Sequence, residues 1–247
     1  MKKFVYILLI IFYACDKEDT SDCFQTEGNL IMKEFAVSEF QIILVNRDVE
    51  LILSQGDDYQ VIVETGANLL NDIEVNVVGN QLQLTDNNSC NYFRNYGVTK
   101  VYVTAPNLTE IRSSSQFDIS SEGILNFENL KLISEDYSFP ESFTVGDFKL
   151  SVDSNKLEII SNNISSFYID GVTEELFIGF YSGTGRFEGK DLVANYIDIF
   201  HRGSNDMVVY PIESLSGELR GTGDLILVNQ PISISVEQFY TGQLISQ

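Results

Sequence analysis

The feature that most constrains the fold is a block of small residues that recurs along the second half of the chain. Tyr181-Ser182-Gly183-Thr184-Gly185-Arg186-Phe187, His201-Arg202-Gly203-Ser204-Asn205-Asp206-Met207 and Leu219-Arg220-Gly221-Thr222-Gly223-Asp224-Leu225 each have small residues at the centre and an apolar residue at the end. Gly183, Gly203 and Gly221 are 20 and 18 residues apart. Ile111-Arg112-Ser113-Ser114-Ser115-Gln116-Phe117 has the same form, Val152-Asp153-Ser154-Asn155-Lys156-Leu157 is a weaker copy, and Ser134 to Phe139 is weaker still. Short strand-like segments lie between the blocks, among them Leu130-Lys131-Leu132-Ile133, Phe167-Tyr168-Ile169 and Tyr196-Ile197-Asp198-Ile199. A period near 20 residues, built of short strands and small-residue turns, is the signature of a solenoid. One coil cannot bury its apolar side alone, so stacked coils share a core. Small residues suit turns where the backbone needs unusual torsions or close approach to a neighbour. The spacing drifts between Val172 and Phe180, which predicts an insertion or irregular coil there.

Upstream, strand patterns follow one another with little interruption. Val49 to Leu53 and Tyr59 to Glu64 alternate, and Ile73 to Val77 is separated from Leu82 to Leu84 by the turn signal Gly79-Asn80. No long segment has a period of 3.6 with caps; Ala67 to Asp72 allows one short helical turn. The expected fold is all-β: a single-stranded right-handed β-helix with coils of about 20 residues, entered through an N-terminal portion of longer antiparallel strands. The expected division is a long-strand portion over 35–105 and repeat coils over 106–247, together one domain. An antiparallel sandwich would also show alternating strands, but does not by itself require recurring G-x-G blocks.

The first residues carry an address. Lys2 and Lys3 precede an apolar run from Phe4 to Tyr13, then Ala14, Cys15 and Asp16-Lys17-Glu18-Asp19. A basic start and a short apolar core read as a signal peptide over 1–14; spanning a bilayer takes about 20 apolar residues. Ala14-Cys15 resembles a bacterial lipobox, with Phe12 where that pattern usually has Leu. The resemblance implies cleavage before Cys15 and lipid on it. Lys17-Glu18-Asp19 resembles the export signal of surface lipoproteins of Bacteroidetes. Residues 15–34 then form an acidic tether, and the protein is expected in the outer membrane, facing outward. An ordinary signal peptide with an incidental Cys is the alternative.

Removing residues 1–14 takes Lys2 and Lys3 and no acid, leaving 13 basic against 36 acidic residues, a net charge of −23. Such a surface repels phosphate backbones and excludes nucleic acid as a partner. Hydrophobic residues at 44% are ample for a core. With Cys15 assigned to lipid, Cys23 and Cys90 remain as a candidate disulfide in an oxidising compartment, with two free thiols as the alternative.

Three stretches resemble a known family: Phe40 to Glu64, with Asp48-Val49-Glu50-Leu51 leading to Gln55-Gly56; Val101 to Phe117, which opens the first small-residue block; and Leu215 to Pro231, with Gly221-Thr222-Gly223-Asp224-Leu225. In order and spacing they are similar to the auto-transporter adhesins with a head GIN domain, over about residues 36–245. Ser113-Ser114-Ser115 and Asp153-Ser154-Asn155 stand where that family has serine-glycine pairs. The resemblance implies a β-helical fold; the adhesin role is an inference within the family itself.

Catalytic signals are weak. His201 is the one His, no Cys-x-x-Cys occurs, and the G-x-G blocks are not followed by a helix that would point its N-terminus at a phosphate. Two carboxylates some 5–10 Å apart would suit a glycoside hydrolase, and Asp206 and Asp224 occupy equivalent places in adjacent coils. A β-helical polysaccharide lyase or glycosidase is thus a second alternative. A structural envelope scaffold is the first. The preferred reading is non-catalytic binding of glycans, envelope components or host proteins. Its patch is Tyr181, His201, Arg202 and Arg220, with Arg112 equivalent several coils away, since Arg and aromatic residues dominate binding hot spots. No cofactor is expected; Asp57-Asp58 and Asp86-Asn87-Asn88 are candidate Ca2+ ligands only as hard oxygen donors.

Overall fold

A computed structural model describes residues 26–88 and 97–246. Its strands are β1 (Leu30–Phe35), β2 (Ile42–Val45), β3 (Val49–Gln55), β4 (Gln60–Gly66), β5 (Ile73–Val78), β6 (Gln81–Asp86), β7 (Thr99–Ala105), β8 (Glu110–Ser113) and β9 (Ile119–Leu125). They continue as β10 (Asn129–Ser134), β11 (Phe148–Ser161), β12 (Phe167–Phe180), β13 (Phe187–His201), β14 (Met207–Leu219), β15 (Leu225–Leu227), β16 (Ser233–Gln238) and β17 (Leu244–Ser246). All belong to one sheet, and the described residues are all-β apart from a 3-10 turn at Leu70–Asp72, inside the segment expected to hold a helical turn.

From β8 onward the ladders are parallel, and each residue pairs with one about a repeat later. Ile119, Phe148, Phe167, Phe187, Met207, Leu225 and Leu244 lie side by side in one inward column. Leu130, Leu157, Leu176, Ile197 and Leu215 form another, which Ile234 on the exposed β16 continues. Side chains alternate between faces along a strand, so the inward set of each rung falls on the inward set of the next. The burial pattern of β13 follows that alternation. Phe148 and Phe167 stack with ring centroids 4.7 Å apart and 10° between planes, and Phe180 sits 5.7 Å from Phe167. Such ring pairs add to the area term, itself about 1.5–3 kcal/mol for each buried Phe.

The N-terminal portion departs from expectation. Its strands are short, and the longest are β11, β12 and β13, of 14, 14 and 15 residues. They are long because the corner between two faces of a rung is made inside the strand, by register shifts and by Gly171 at φ +111°. The pairing at the N-terminal end is also mixed. β1, β4 and β7 are antiparallel neighbours and β5–β6 is the hairpin expected at Gly79-Asn80, but β2 pairs in parallel with β6 and β8, and β3 with β7 and β9. Stacking therefore begins at Ile42, well before residue 106.

Two further expectations are corrected. Val172 to Phe180 holds no insertion; it runs in register with both β11 and β13, and the drift is a bulge against β13 just before it, between Tyr168 and Gly171. The inserted segment is 135–147, between β10 and β11, where later turns have only five or six residues. Val152 to Leu157 is likewise no turn but the middle of β11, and the turn of that rung is 162–166.

The small-residue blocks are the turns between strands. They stack through backbone bonds: Thr184 N–H donates to Asn163 O at 2.8 Å, Ser204 N–H to Gly183 O at 3.0 Å, and Gly223 N–H to Gly203 O at 3.3 Å. A Cβ on Gly183 would lie 1.9 Å from Asn163 O, and its φ of +89° already disfavours any other residue. Gly183→Ala is expected to destabilise by about 2–4 kcal/mol, combining left-handed strain and overpacking. Gly79→Ala, at φ +64° but in open space, should cost only about 1–2 kcal/mol. Denaturant midpoints of the two variants check this difference.

Candidate functional site

The turns place outward side chains in columns as strictly as the strands place inward ones. Arg202 N–H donates to Phe180 O at 2.7 Å, Arg220 N–H to His201 O at 2.7 Å and Phe239 N–H to Leu219 O at 2.8 Å. In a parallel ladder these bonds set Tyr181, Arg202, Arg220 and Phe239 beside one another on four consecutive rungs. Neighbouring strands are about 4.8 Å apart, so the four form a short ridge. Tyr181 and Phe239 are 43% and 50% exposed, and Tyr240 next to the ridge is 65% exposed. Tyr181 packs on Phe200 at 5.1 Å between centroids. The Arg220 guanidinium lies 4.0 Å from the Phe239 centroid and is ion-paired with Glu218, which holds its pKa above the ordinary value. Arg202 is exposed and makes no ion pair among the described residues.

The ridge gathers three of the four residues of the expected patch and leaves out His201, which is fully buried. Six residues separate Phe180 from Phe187 but five separate His201 from Met207, so alignment on the glycines is off by one. Ladder pairing puts His201 beside Phe180 and Leu219, in an inward column. Arg112 is displaced too: it shares a column with Ile133, Ile160, Phe200 and Glu218, not with Arg202. Phe239 was missed because its block, Phe239-Tyr240-Thr241-Gly242-Gln243, has one glycine; counting one repeat on from Arg220 would have found it. Cys15, Cys23 and Cys90 lie outside the described residues.

Asp206 and Asp224 stand one rung apart, as expected, and both are engaged. Asp224 N–H donates to an Asp206 carboxylate oxygen at 3.1 Å, and Gln243 N–H to Asp224 at 2.8 Å. Ser166 N–H donates to Asp147 in the same way at 2.8 Å. The carboxylates are caps for the next rung's backbone, the bonds that charge assistance makes strongest. Arg186, 3.6 Å from Asp206 and 2.8 Å from Glu188, extends this column. Asp86 is buried and spends both oxygens on Asn88 and Thr99, while Asp57 and Asp58 are exposed. Among the described residues no group of three or more His, Cys, Asp or Glu is arranged to hold a metal, and no helix is long and apolar enough to cross a membrane.

With repeat-spaced parallel strands and glycine turns, the chain is of the class of all-β proteins built from stacked parallel strands. It belongs to the family described as "Putative auto-transporter adhesin, head GIN domain", which it matches over residues 39–231. Among solved structures it is similar to a putative adhesin of Bacteroides fragilis NCTC 9343, at 22% identity and a TM-score of 0.79 over 89% of this chain and 97% of that one. A putative adhesin of Parabacteroides merdae ATCC 43184 matches at 14% identity and a TM-score of 0.60, over 90% and 98% of the two chains. A putative lipid binding protein of Parabacteroides distasonis ATCC 8503 matches at 16% and 0.61, over 89% and 97%. These likenesses concern the fold. No curated protein matches the chain.

Neither ring nitrogen of His201 has a well-formed hydrogen bond. Burial pushes its pKa below 6.5, and the backbone of Asn205 and the carboxylates of Asp206 and Asp224 only partly oppose that. The unfolded chain therefore takes up a proton before the folded one does. Stability is full above about pH 6.5 and falls as pH drops below it, until the folded ring is itself protonated. His201→Phe should flatten the melting temperature between pH 7 and pH 5 relative to the unsubstituted chain.

Proposed function

We propose that this chain is an outer-membrane lipoprotein, anchored through Cys15 and facing outward, whose rungs form a single right-handed β-helix. It binds acidic glycans without catalysis, along the ridge of Tyr181, Arg202, Arg220 and Phe239. The observation that carries this reading is the ridge's alignment: aromatic, arginine, arginine and aromatic on four successive rungs. Aromatic faces pack against the apolar faces of sugar rings, and an arginine fork holds a carboxylate by two parallel bonds. Arg202 supports the reading further, because it stays unpaired in a chain with 36 acidic residues. Family membership and the basic-apolar-cysteine start agree with surface display.

Polygalacturonate binding should weaken at least tenfold in the double variant Arg202→Ala, Arg220→Ala, the loss of about one charge-assisted bond, and should weaken with salt in the unsubstituted chain. Binding that is indifferent to both would remove the ridge. For the anchor, Cys15→Ser should abolish incorporation of labelled palmitate in cells, and shaving of intact cells with protease should digest the unsubstituted protein.

A further inference from the structure

The outer face of β6, β2 and β8 carries a groove distinct from the ridge. Its volume is about 850 Å3, within the roughly 300–1,000 Å3 of small-ligand sites. Its floor is sheet, with Gln81, Gln83 and Thr85 from β6 and Leu44 and Asn46 from β2 and its end. Its wall is the inserted segment, through Ser138 to Phe143.

The wall is latched onto the sheet. Arg112 donates to Glu135 at 2.7 Å, and their side chains are only 13% and 9% exposed. Burial alone would raise the Glu135 carboxyl, but the bonds from Arg112 and Ser138 outweigh it and hold the pKa below the ordinary value. The Arg112 guanidinium lies 4.9 Å from the Phe139 centroid and that of Arg47 lies 5.4 Å from Phe143. Phe139 and Phe143 nevertheless remain 57% and 40% exposed.

The floor shows what such a groove is built to hold. Gln83 Nε2 donates to Gln81 Oε1 at 2.9 Å, and Asn46 Nδ2 donates to Thr85 Oγ1 at 2.8 Å. These two bonds fix the amides. They leave the carbonyl oxygens of Gln83 and Asn46 as acceptors, and the Gln81 amide and Thr85 hydroxyl as donors. A sugar hydroxyl both donates and accepts, so it needs this mixture. An anion needs donors only, and the groove carries no net charge to select one, because Glu110 and Glu141 on its lining are matched by Arg112 and Arg47.

We propose that this groove binds an uncharged oligosaccharide. Its hydroxyls exchange hydrogen bonds with Asn46, Gln81, Gln83 and Thr85, while Phe139 and Phe143 pack on the apolar faces of its rings. The inference stands apart from the ridge, which takes acidic glycans. The test is calorimetric titration of the full chain with maltohexaose, cellohexaose and xylohexaose, and with polygalacturonate as the acidic counterpart. At least one neutral hexaose should bind, and Gln83→Leu and Phe143→Ala should each weaken it about tenfold, as expected where one partner of a buried contact is removed. Both substitutions are on the outer surface, and an unchanged melting temperature establishes that each variant is folded. The Arg202→Ala, Arg220→Ala variant should bind the neutral hexaose unchanged. No binding of any neutral hexaose at millimolar concentration overturns the proposal, as does binding that survives both groove substitutions. Loss of polygalacturonate binding in the ridge variant beside silent neutral hexaoses would leave the ridge standing and the groove refuted.

Discussion

From β8 onward the structure depends on parallel hydrogen bonding between successive rungs, in register but for a few bulges. Once Phe148 pairs with Phe167, and Phe167 with Phe187, every residue between them is committed to the neighbour one repeat away. Neighbouring strands are held about 4.8 Å apart, so like residues stack on like whether or not that suits them. Apolar side chains gain from it, and the inward columns fill with phenylalanine, leucine and isoleucine. Backbone at the turns is brought so close that a Cβ on Gly221 would lie 2.0 Å from Gly203 O, and one on Gly223 the same distance from Asn205 O. The glycine blocks are therefore a consequence of stacking, set by the space that the previous rung leaves.

The same geometry explains what could be read from the sequence and what could not. The repeat is visible at Gly183 and Gly221 because steric exclusion leaves one residue type at those points, while Gly203 between them has more room, its nearest contact being His201 at 3.2 Å. Ser113 and Ser134 show the signal fading: both are fully buried serines where the later blocks have glycines, and Ser134 bonds Ser165 at 2.7 Å. Glycine spacing nevertheless misaligned the turns by one residue, since a turn can gain a residue while the strands on either side keep register. That single residue put His201 on the surface in a reading from sequence and puts it in the core in the structure. The groove was illegible for another reason. Asn46, Gln83 and Phe143 are far apart in the chain and carry no periodic mark, and only parallel pairing of β2 with β6 and β8 brings their segments together.

Stacking also decides how an acidic chain holds together. Like charges in one column repel from rung to rung, as Glu218 and Glu237 do, and at other points the structure relieves this with opposite charges. Lys131 meets Glu158 at 2.8 Å across paired strands, Arg112 meets Glu135, and Lys149 meets Asp118. Each exposed pair adds well under about 1 kcal/mol, so their value is mainly in relieving repulsion. Where two acids do follow one another, as Asp206 and Asp224 do, each carboxylate accepts a backbone N–H of the rung that follows, and Arg186 lies 3.6 Å from the first.

Against that pattern the arginines divide informatively. Of the five described, Arg112, Arg186 and Arg220 are ion-paired with acids, and Arg47 and Arg202 make no ion pair among the described residues. Acids outnumber bases 36 to 15 along the chain, so an exposed guanidinium without one is the less probable outcome of chance placement. One of the two stands in the middle of the ridge and the other at the wall of the groove. Each is flanked by exposed aromatic rings, Tyr181 for Arg202 and Phe143 for Arg47. Stacking fixes the first of these juxtapositions, through backbone bonds from rung to rung at Arg202, and the second rests on the latch of the inserted segment, where Arg112 bonds Glu135 and Phe143 N–H donates to Ser114. A rigid pairing of cation and ring loses little order on meeting a ligand, which is the condition under which shallow surfaces bind at all.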